Sequence, residues 1–228
     1  MKSIKKKSPK EKIITYLEYL TKQPQGFAYK EQKVKKQPTT PPNKEKLLNQ
    51  LFFQYQNCQS CPLATQGRTN IVFGQGNHNA KLMFVGEGPG RDEDLQALPF
   101  IGRAGKLLTK IINAMNLKRE DIYITNVVKC RPPNNRAPLP EESNTCKSSI
   151  LFKEIEIVNP KIICTLGASA TQAILGDDST ISKTRGIFFQ LENKLVIPTF
   201  HPAYLLRNPS AKRLVWEDMQ KILKKLEE

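Results

Sequence analysis

No stretch of eighteen consecutive apolar residues occurs in the 228-residue chain, so no segment has the composition of a membrane-spanning helix. The basic start "MKSIKKKSPKEK" is not followed by an apolar signal core with a small-residue cleavage site, and the cytoplasm is the expected location. Two nucleotide signatures are also missing. "GEGPG" (86–90) lacks the G-K-[ST] of a P-loop, and Pro89 breaks any G-x-G-x-x-G reading. Cysteine is sparse and odd in number, with Cys58, Cys61, Cys130, Cys146 and Cys164, which argues against a disulfide framework. Histidine occurs twice, at His78 and His201, and no internal repeat is present.

What the chain has in excess is positive charge. A net charge of +15 favours an anionic partner such as nucleic acid. Its distribution tempers that reading. Residues 1–50 hold thirteen Lys and four Glu, so nine of the fifteen charges lie there and six remain for the other 178 residues. The basic start is as consistent with a solubilising tail as with a DNA-gripping arm.

Ile13, Ile14, Leu17 and Leu20 recur at helical spacing and predict a short amphipathic helix over 9–22. Pro24, Pro38, Pro41 and Pro42 with many lysines make the segment from Gln23 to Asn43 read as a linker. We therefore expect a basic extension over 1–44 and a single domain over 45–228. "KEKLLNQLFFQYQN" resumes helical spacing just before Cys58, and strands and helices alternate from there. Strands are expected at 81–86, 121–129 and 161–167, helices at 104–116 and 141–158, a hairpin over 186–200 and a closing helix. That order predicts a three-layer α/β/α fold on a mostly parallel, four-stranded sheet. Ligands of such sheets sit at the carboxyl ends of the strands. "GEGPG", "TNVVKCRPP", "TLGASA" and "TFHPAY" all fall at those ends.

The glycines of "GEGPG" permit positive φ and close backbone approach of a ligand, but a tight strand-to-helix turn has the same composition. Glu87, Asp92, Glu93 and Asp94 crowd this loop with carboxylates that would repel phosphate. Asn126, inside the strand "YITNVVK", offers an acceptor and a donor side by side, which can read the edge of a flat heterocycle. His201 sits where strand ends converge and is fixed by Pro202. His78 reads as a loop residue. Cys58 and Cys61 form a C-x-x-C that can grip a metal or a cluster. Cys164, inside an apolar strand, reads as a small buried apolar residue.

Taken together, "GEGPGRDED", "PFIGRAGKLL", "TNVVKCRPPNNRAPLPEE", "TLGASA" and "HPAYLLRNP" resemble the family 4 uracil-DNA glycosylases, the iron–sulfur type of bacteria and archaea. The resemblance covers residues 45–228 in unbroken order. It implies that Gly86, Glu87, Gly88 and Gly90 wall a uracil pocket and that Phe100 stacks on the flipped base. It implies further that Asn126 reads the base edge, that Glu93 lies near C5 and excludes thymine, and that His201 stabilises the leaving uracil at O2. Glu87 is the nearest carboxylate to activate a water, with a water oriented mainly by electrostatics as the alternative. Cys58, Cys61, Cys130 and Cys146 are implied as ligands of a [4Fe–4S] cluster; four thiolates alone suit zinc equally. Leu205 and Leu206 are candidates to fill the space left by the extruded nucleotide, although either could face the core instead, and Arg207, Arg131 and Arg136 are candidate phosphate contacts. A related variant that traps uracil covalently has a histidine-containing insertion after the aromatic; "FIGRAGKLL" has none, so turnover is expected.

The expectation is a monomeric, monofunctional enzyme that excises uracil from single- or double-stranded DNA and leaves an abasic site. The alternatives are a non-catalytic iron–sulfur protein that binds DNA and a zinc-stapled nucleotide-binding protein.

Overall fold

Apolar residues of the central strands alternate sides and build two hydrophobic cores, one on each face of a sheet. A computed structural model describes residues 43–176 and 180–228, within a unit spanning Pro41–Glu228. The helix expected over 9–22 and all of the expected linker except Asn43 lie outside the described residues.

Helix α1 (Lys44–Tyr55) starts where the Asn43 side chain accepts a hydrogen bond from the Lys46 N–H at 3.1 Å. The short strand β1 (Gln75–Gly76) follows, then β2 (Leu82–Gly86), α2 (Arg91–Gln96), α3 (Arg103–Ala114) and β3 (Tyr123–Asn126). Helix α4 (Pro140–Cys146) runs through a π-turn, Lys147–Leu151, into α5 (Phe152–Val158). The chain continues through β4 (Ile162–Leu166), α6 (Ala168–Leu175), α7 (Ile181–Thr184), β5 (Phe189–Leu191), β6 (Lys194–Thr199), α8 (Pro202–Arg207) and α9 (Lys212–Glu227).

The sheet order is β1-β3-β2-β4-β6-β5. Its four middle strands are parallel, as expected, and an antiparallel strand closes each edge, so the sheet has six strands. The sixth escapes sequence reading because β1, at two residues, is too short to show a period. The hairpin over 186–200 is β5 and β6. The strand expected at 121–129 ends at Asn126, and the helix expected at 141–158 is one run interrupted by the π-turn.

Met83 and Val85 point to the core that α1, α5 and α6 cover with Leu51, Ile155 and Ala170. Leu82 and Phe84 point to the opposite core, which α3 and α9 cover with Leu108, Ile112, Val215 and Met219. Period-two alternation thus gives the three layers. The chain leaves β2 towards β3 on one side and leaves its neighbour β4 towards β6 and β5 on the other, so connections from adjacent strand ends run in opposite directions. That reversal opens a crevice at their carboxyl ends.

A buried ion pair lies beneath that crevice. Lys129 Nζ donates to Glu154 Oε2 at 2.6 Å, to Thr125 Oγ1 at 2.6 Å and to the Asn126 carbonyl at 2.7 Å. Glu154 Oε1 accepts from the Gly74 N–H at 2.9 Å, so both charges are well supplied with partners. Lys129→Met removes the cation and leaves a buried carboxylate. We expect it to lower unfolding free energy by about 3–5 kcal/mol in urea titrations, whereas Lys129→Met with Glu154→Leu recovers most of that loss.

Candidate active site

The carboxyl ends of β2, β3, β4 and β6 surround a cavity of about 850 Å³. Glu87–Gly90, Phe100, Asn126, the start of α6 and His201 form its walls. Tyr204, Leu206, Arg207, Arg91 and Arg103 also line it.

Asn126 is the last residue of β3 and pairs in register with Gly86 at the end of β2. A Cβ at Gly86 would collide with the Phe100 ring and lie 2.5 Å from Asn126 Oδ1, so the absent side chain is what lets ring and amide converge. The glycines of the loop therefore supply space. None of Gly86, Gly88 and Gly90 takes a positive φ. Asn126 is only 2 % exposed, and its Oδ1 has no hydrogen-bond partner. A buried acceptor left unpaired costs about 1–3 kcal/mol, which a ligand N–H would recover.

His201 caps α8. Its Nδ1 accepts from the Ala203 N–H at 3.0 Å, which places the proton of the neutral ring on Nε2. Burial, reinforced by the positive charge of Arg207, pulls its pKa down to about 4. The imidazole is therefore a neutral donor at neutral pH. Its ring centroid lies 5.7 Å from that of Phe100, at an interplanar angle of 32°. The preceding strand end is anchored by Thr199 Oγ1 donating to Asp218 Oδ2 at 2.7 Å, and Arg185 pairs with the same carboxylate.

The loop carboxylates are mostly engaged. Glu87 accepts from the Ser169 hydroxyl at the start of α6. Glu93 Oε1 accepts from the Ile101 and Gly102 N–H groups at 3.0 and 2.8 Å. Asp94 is turned away and buried against the Thr69 and Asn70 amides. Asp92 alone is exposed at the cavity.

Several sequence-based site assignments change. Leu205 is 1 % exposed and packs with Ile112 and Val215 in the core, so it cannot enter DNA; Leu206, 45 % exposed, is the leucine on the cavity wall. Arg136 lines the cavity, but its guanidinium is committed to the buried Glu142 through bonds of 2.8 and 2.7 Å, so its first role is an ion pair. That pair holds the Glu142 carboxyl below its usual range. Arg131 binds Asn135 Oδ1 at 2.7 Å and is not among the lining residues. Arg207 is exposed and lines the cavity. Sequence reasoning missed Ser169, Arg91 and Arg103. Ser169 lies in the strand-end motif "TLGASA", and Arg91 and Arg103 in the segments "GEGPGRDED" and "PFIGRAGKLL" that carry the resemblance.

Cys58, Cys61, Cys130 and Cys146 line a second, small pocket, while Cys164 is buried in the sheet. Among the described residues no three or more His, Cys, Asp or Glu side chains, these cysteines included, are arranged to hold a metal ion. Burial raises the thiol pKa values of Cys61, Cys130 and Cys146, the last to about 12. Two donors already face these sulfurs. Arg68 Nη1 lies 2.9 Å from Cys130 Sγ and the Lys129 N–H 3.3 Å from Cys146 Sγ, and these donors oppose the effect of burial by favouring the anionic sulfur.

Fold and cavity together describe an α/β protein whose strand ends enclose an aromatic-walled recess with an unpaired amide, a shape suited to one flat heterocycle. Residues 73–226 match the family model described as the uracil DNA glycosylase superfamily, and the chain belongs to that superfamily, among its type-4 members. It is 48 % identical over 182 residues to the type-4 uracil-DNA glycosylase of Thermotoga maritima, covering 78 % of this chain and 94 % of that protein. The type-4 uracil-DNA glycosylase of Archaeoglobus fulgidus is 42 % identical over 183 residues, covering 77 % and 91 %. That of Sulfurisphaera tokodaii is 46 % identical over 175 residues, covering 73 % and 79 %.

The His201 assignment predicts a pH dependence. An unfolded histidine protonates near 6.5 and the folded one near 4, so as pH falls the unfolded chain binds the proton first. The contribution to stability is complete above pH 6.5 and is lost as pH falls towards 4. In an NMR titration the His201 ring should change shift near pH 4; a midpoint near 6.5 would refute the buried, neutral imidazole.

Proposed function

We propose that this protein is a monofunctional uracil-DNA glycosylase that binds a flipped uracil, hydrolyses its N-glycosidic bond and leaves an abasic site for base excision repair. The observation that carries this reading is the unpaired Oδ1 of Asn126 in a recess shared with Phe100 and His201. Uracil offers N3–H to that acceptor and O4 to the amide N–H. Cytosine presents a bare nitrogen and an amino donor instead, so the same amide meets two mismatched pairs. In a water-excluded pocket that difference amounts to several-fold powers of ten.

Phe100 stacks on the base, contributing about 1–3 kcal/mol without choosing among bases. Glu93, held by the Ile101 and Gly102 amides, is a fixed wall that excludes the thymine methyl. As the glycosidic bond breaks, electrons pass to uracil and the sugar gains oxocarbenium character. His201 Nε2–H donates to O2, where the negative charge grows, and this bond strengthens in the transition state. Glu87, oriented by Ser169, directs a water at C1′. Among the described residues no lysine lines the cavity, which supports hydrolysis over attack by an amine.

Arg207, Arg91 and Arg103 are placed to meet phosphates of single- or double-stranded DNA, with Leu206 at the position left by the extruded nucleotide. Cys58, Cys61, Cys130 and Cys146 fit a [4Fe–4S] cluster as four sulfurs from three chain segments facing Arg68 and Lys129. Bound there, the cluster would serve as a structural cross-link. The enzyme acts as a cytoplasmic monomer, with residues 1–44 a basic extension to the catalytic domain. Among the described residues no helix is long and apolar enough to cross a membrane.

Alkali-treated gels of uracil-containing oligonucleotides test the activity. Cleavage should appear only at uracil, with His201→Ala reducing the rate about 100- to 1,000-fold and Asn126→Ala with His201→Ala abolishing it. DNA binding without any abasic product would instead favour a non-catalytic DNA-binding protein. The purified protein should absorb near about 400 nm and carry iron; a colourless protein with stoichiometric zinc would replace the cluster by a zinc staple.

A further inference from the structure

Phe100 adopts φ 55°, in the left-handed region that a bulky aromatic side chain rarely occupies. Such a conformation survives only where surrounding groups over-determine it. Here both flanks are tied. On the upstream side Arg119 reaches across from the turn before β3, its Nη2 donating to the Pro99 carbonyl at 2.6 Å and its Nη1 to the Phe100 carbonyl at 3.0 Å. On the downstream side Glu93 Oε1 accepts from Ile101 and Gly102. Beneath, the backbone rests on α3 at Gly105, where a Cβ would overlap the Phe100 carbonyl and lie 2.7 Å from its Cα. Arg119 is half-buried for this purpose. Burial lowers its pKa, and the nearby Glu93 charge opposes that shift.

We infer that Arg119 and Glu93 form a two-sided clamp that holds Phe100 in its strained backbone conformation, with the ring preset against the cavity before a base arrives. Both act through Phe100 and are positioning residues in this role. Arg119 does not line the cavity; its two donors are spent on consecutive carbonyls, which suits a planar guanidinium and not an ammonium. The inference rests on the uracil-glycosylase reading and specifies how its stacking surface is set.

A double-mutant cycle tests it with single-turnover rates and half-saturating enzyme concentrations on a uracil oligonucleotide. Arg119→Met should weaken excision by about five- to 150-fold, the range that stacking spans, and mainly through the half-saturating concentration. In a Phe100→Ala background the same substitution should change excision by less than about twofold. An equal loss in both backgrounds would overturn the clamp, since Arg119 would then act by some route other than the ring. Arg119→Lys should restore little, and full rescue by it would also count against the two-carbonyl bond.

The strain has a separate readout that does not require an Arg119 variant to fold. At negative φ glycine is less stable than alanine, but at positive φ the order reverses. Phe100→Gly should therefore melt at or above Phe100→Ala; a lower melting temperature for the glycine variant would refute the strained backbone. If the unmodified protein excises no uracil, the functional reading fails, while the melting comparison still tests the strained backbone that the clamp requires.

Discussion

The pairing of Gly86 with Asn126 across two parallel strands is the constraint on which the site depends. Register places a residue without a side chain beside one whose amide is buried, and the missing Cβ is filled by the Phe100 ring. A one-residue slip would turn Asn126 to the other face of the sheet. The neighbouring strands fix the rest. Leu166 of β4 pairs with Thr199 of β6, so the turn into α6 and the His201 loop open on the same edge. Four strand ends thus hold an acceptor, a donor and an aromatic wall in place without a ligand.

Both signs of charge line the same crevice. Glu87, Asp92 and Glu93 line it, which makes it hostile to phosphate yet tolerant of a neutral base. Arg91, Arg103 and Arg207 contribute the opposite sign and are all exposed to solvent. A nucleotide entering base-first meets this arrangement correctly, and one entering phosphate-first does not. The carboxylates that argue against a nucleotide loop in the sequence are therefore coherent once two are anchored by N–H or O–H donors from neighbouring segments. The modest net charge outside the basic first fifty residues fits the same picture, since the attraction to DNA is local.

Much of this was legible because it depends on short-range patterns. Alternating apolar residues marked β2, β3 and β4, and strand-end motifs marked Asn126 and His201. What was hidden depends on three-dimensional partners. "LL" at 205–206 gives no clue that one turn of helix sends the first leucine to the core and the second to the cavity. Arg136 looks like a phosphate ligand until Glu142, six residues on, is seen to occupy it. Arg119 lies in an ordinary "KRED" turn, and only its long-range bonds to Pro99 and Phe100 give it meaning. Strain at Phe100 leaves no trace in composition at all.

The cysteine pocket and the Asn126 amide share one piece of backbone. Three residues separate Asn126 from Cys130, and the last of them, Lys129, binds in both directions. Its ammonium holds the Asn126 carbonyl, while its own N–H faces Cys146 Sγ and its carbonyl accepts from Val72 at 2.7 Å. Arg68 adds a second tie, reaching Cys130 Sγ and the Cys58 carbonyl with one guanidinium. Cys130 is therefore joined in sequence to a buried lysine whose ammonium also holds the Asn126 carbonyl. Replacing such a charge pair with apolar side chains is often tolerated for stability. Its use here follows from geometry: an ammonium can hold a carbonyl, a hydroxyl and a carboxylate at once, and no hydrocarbon can fix an adjacent amide in that way.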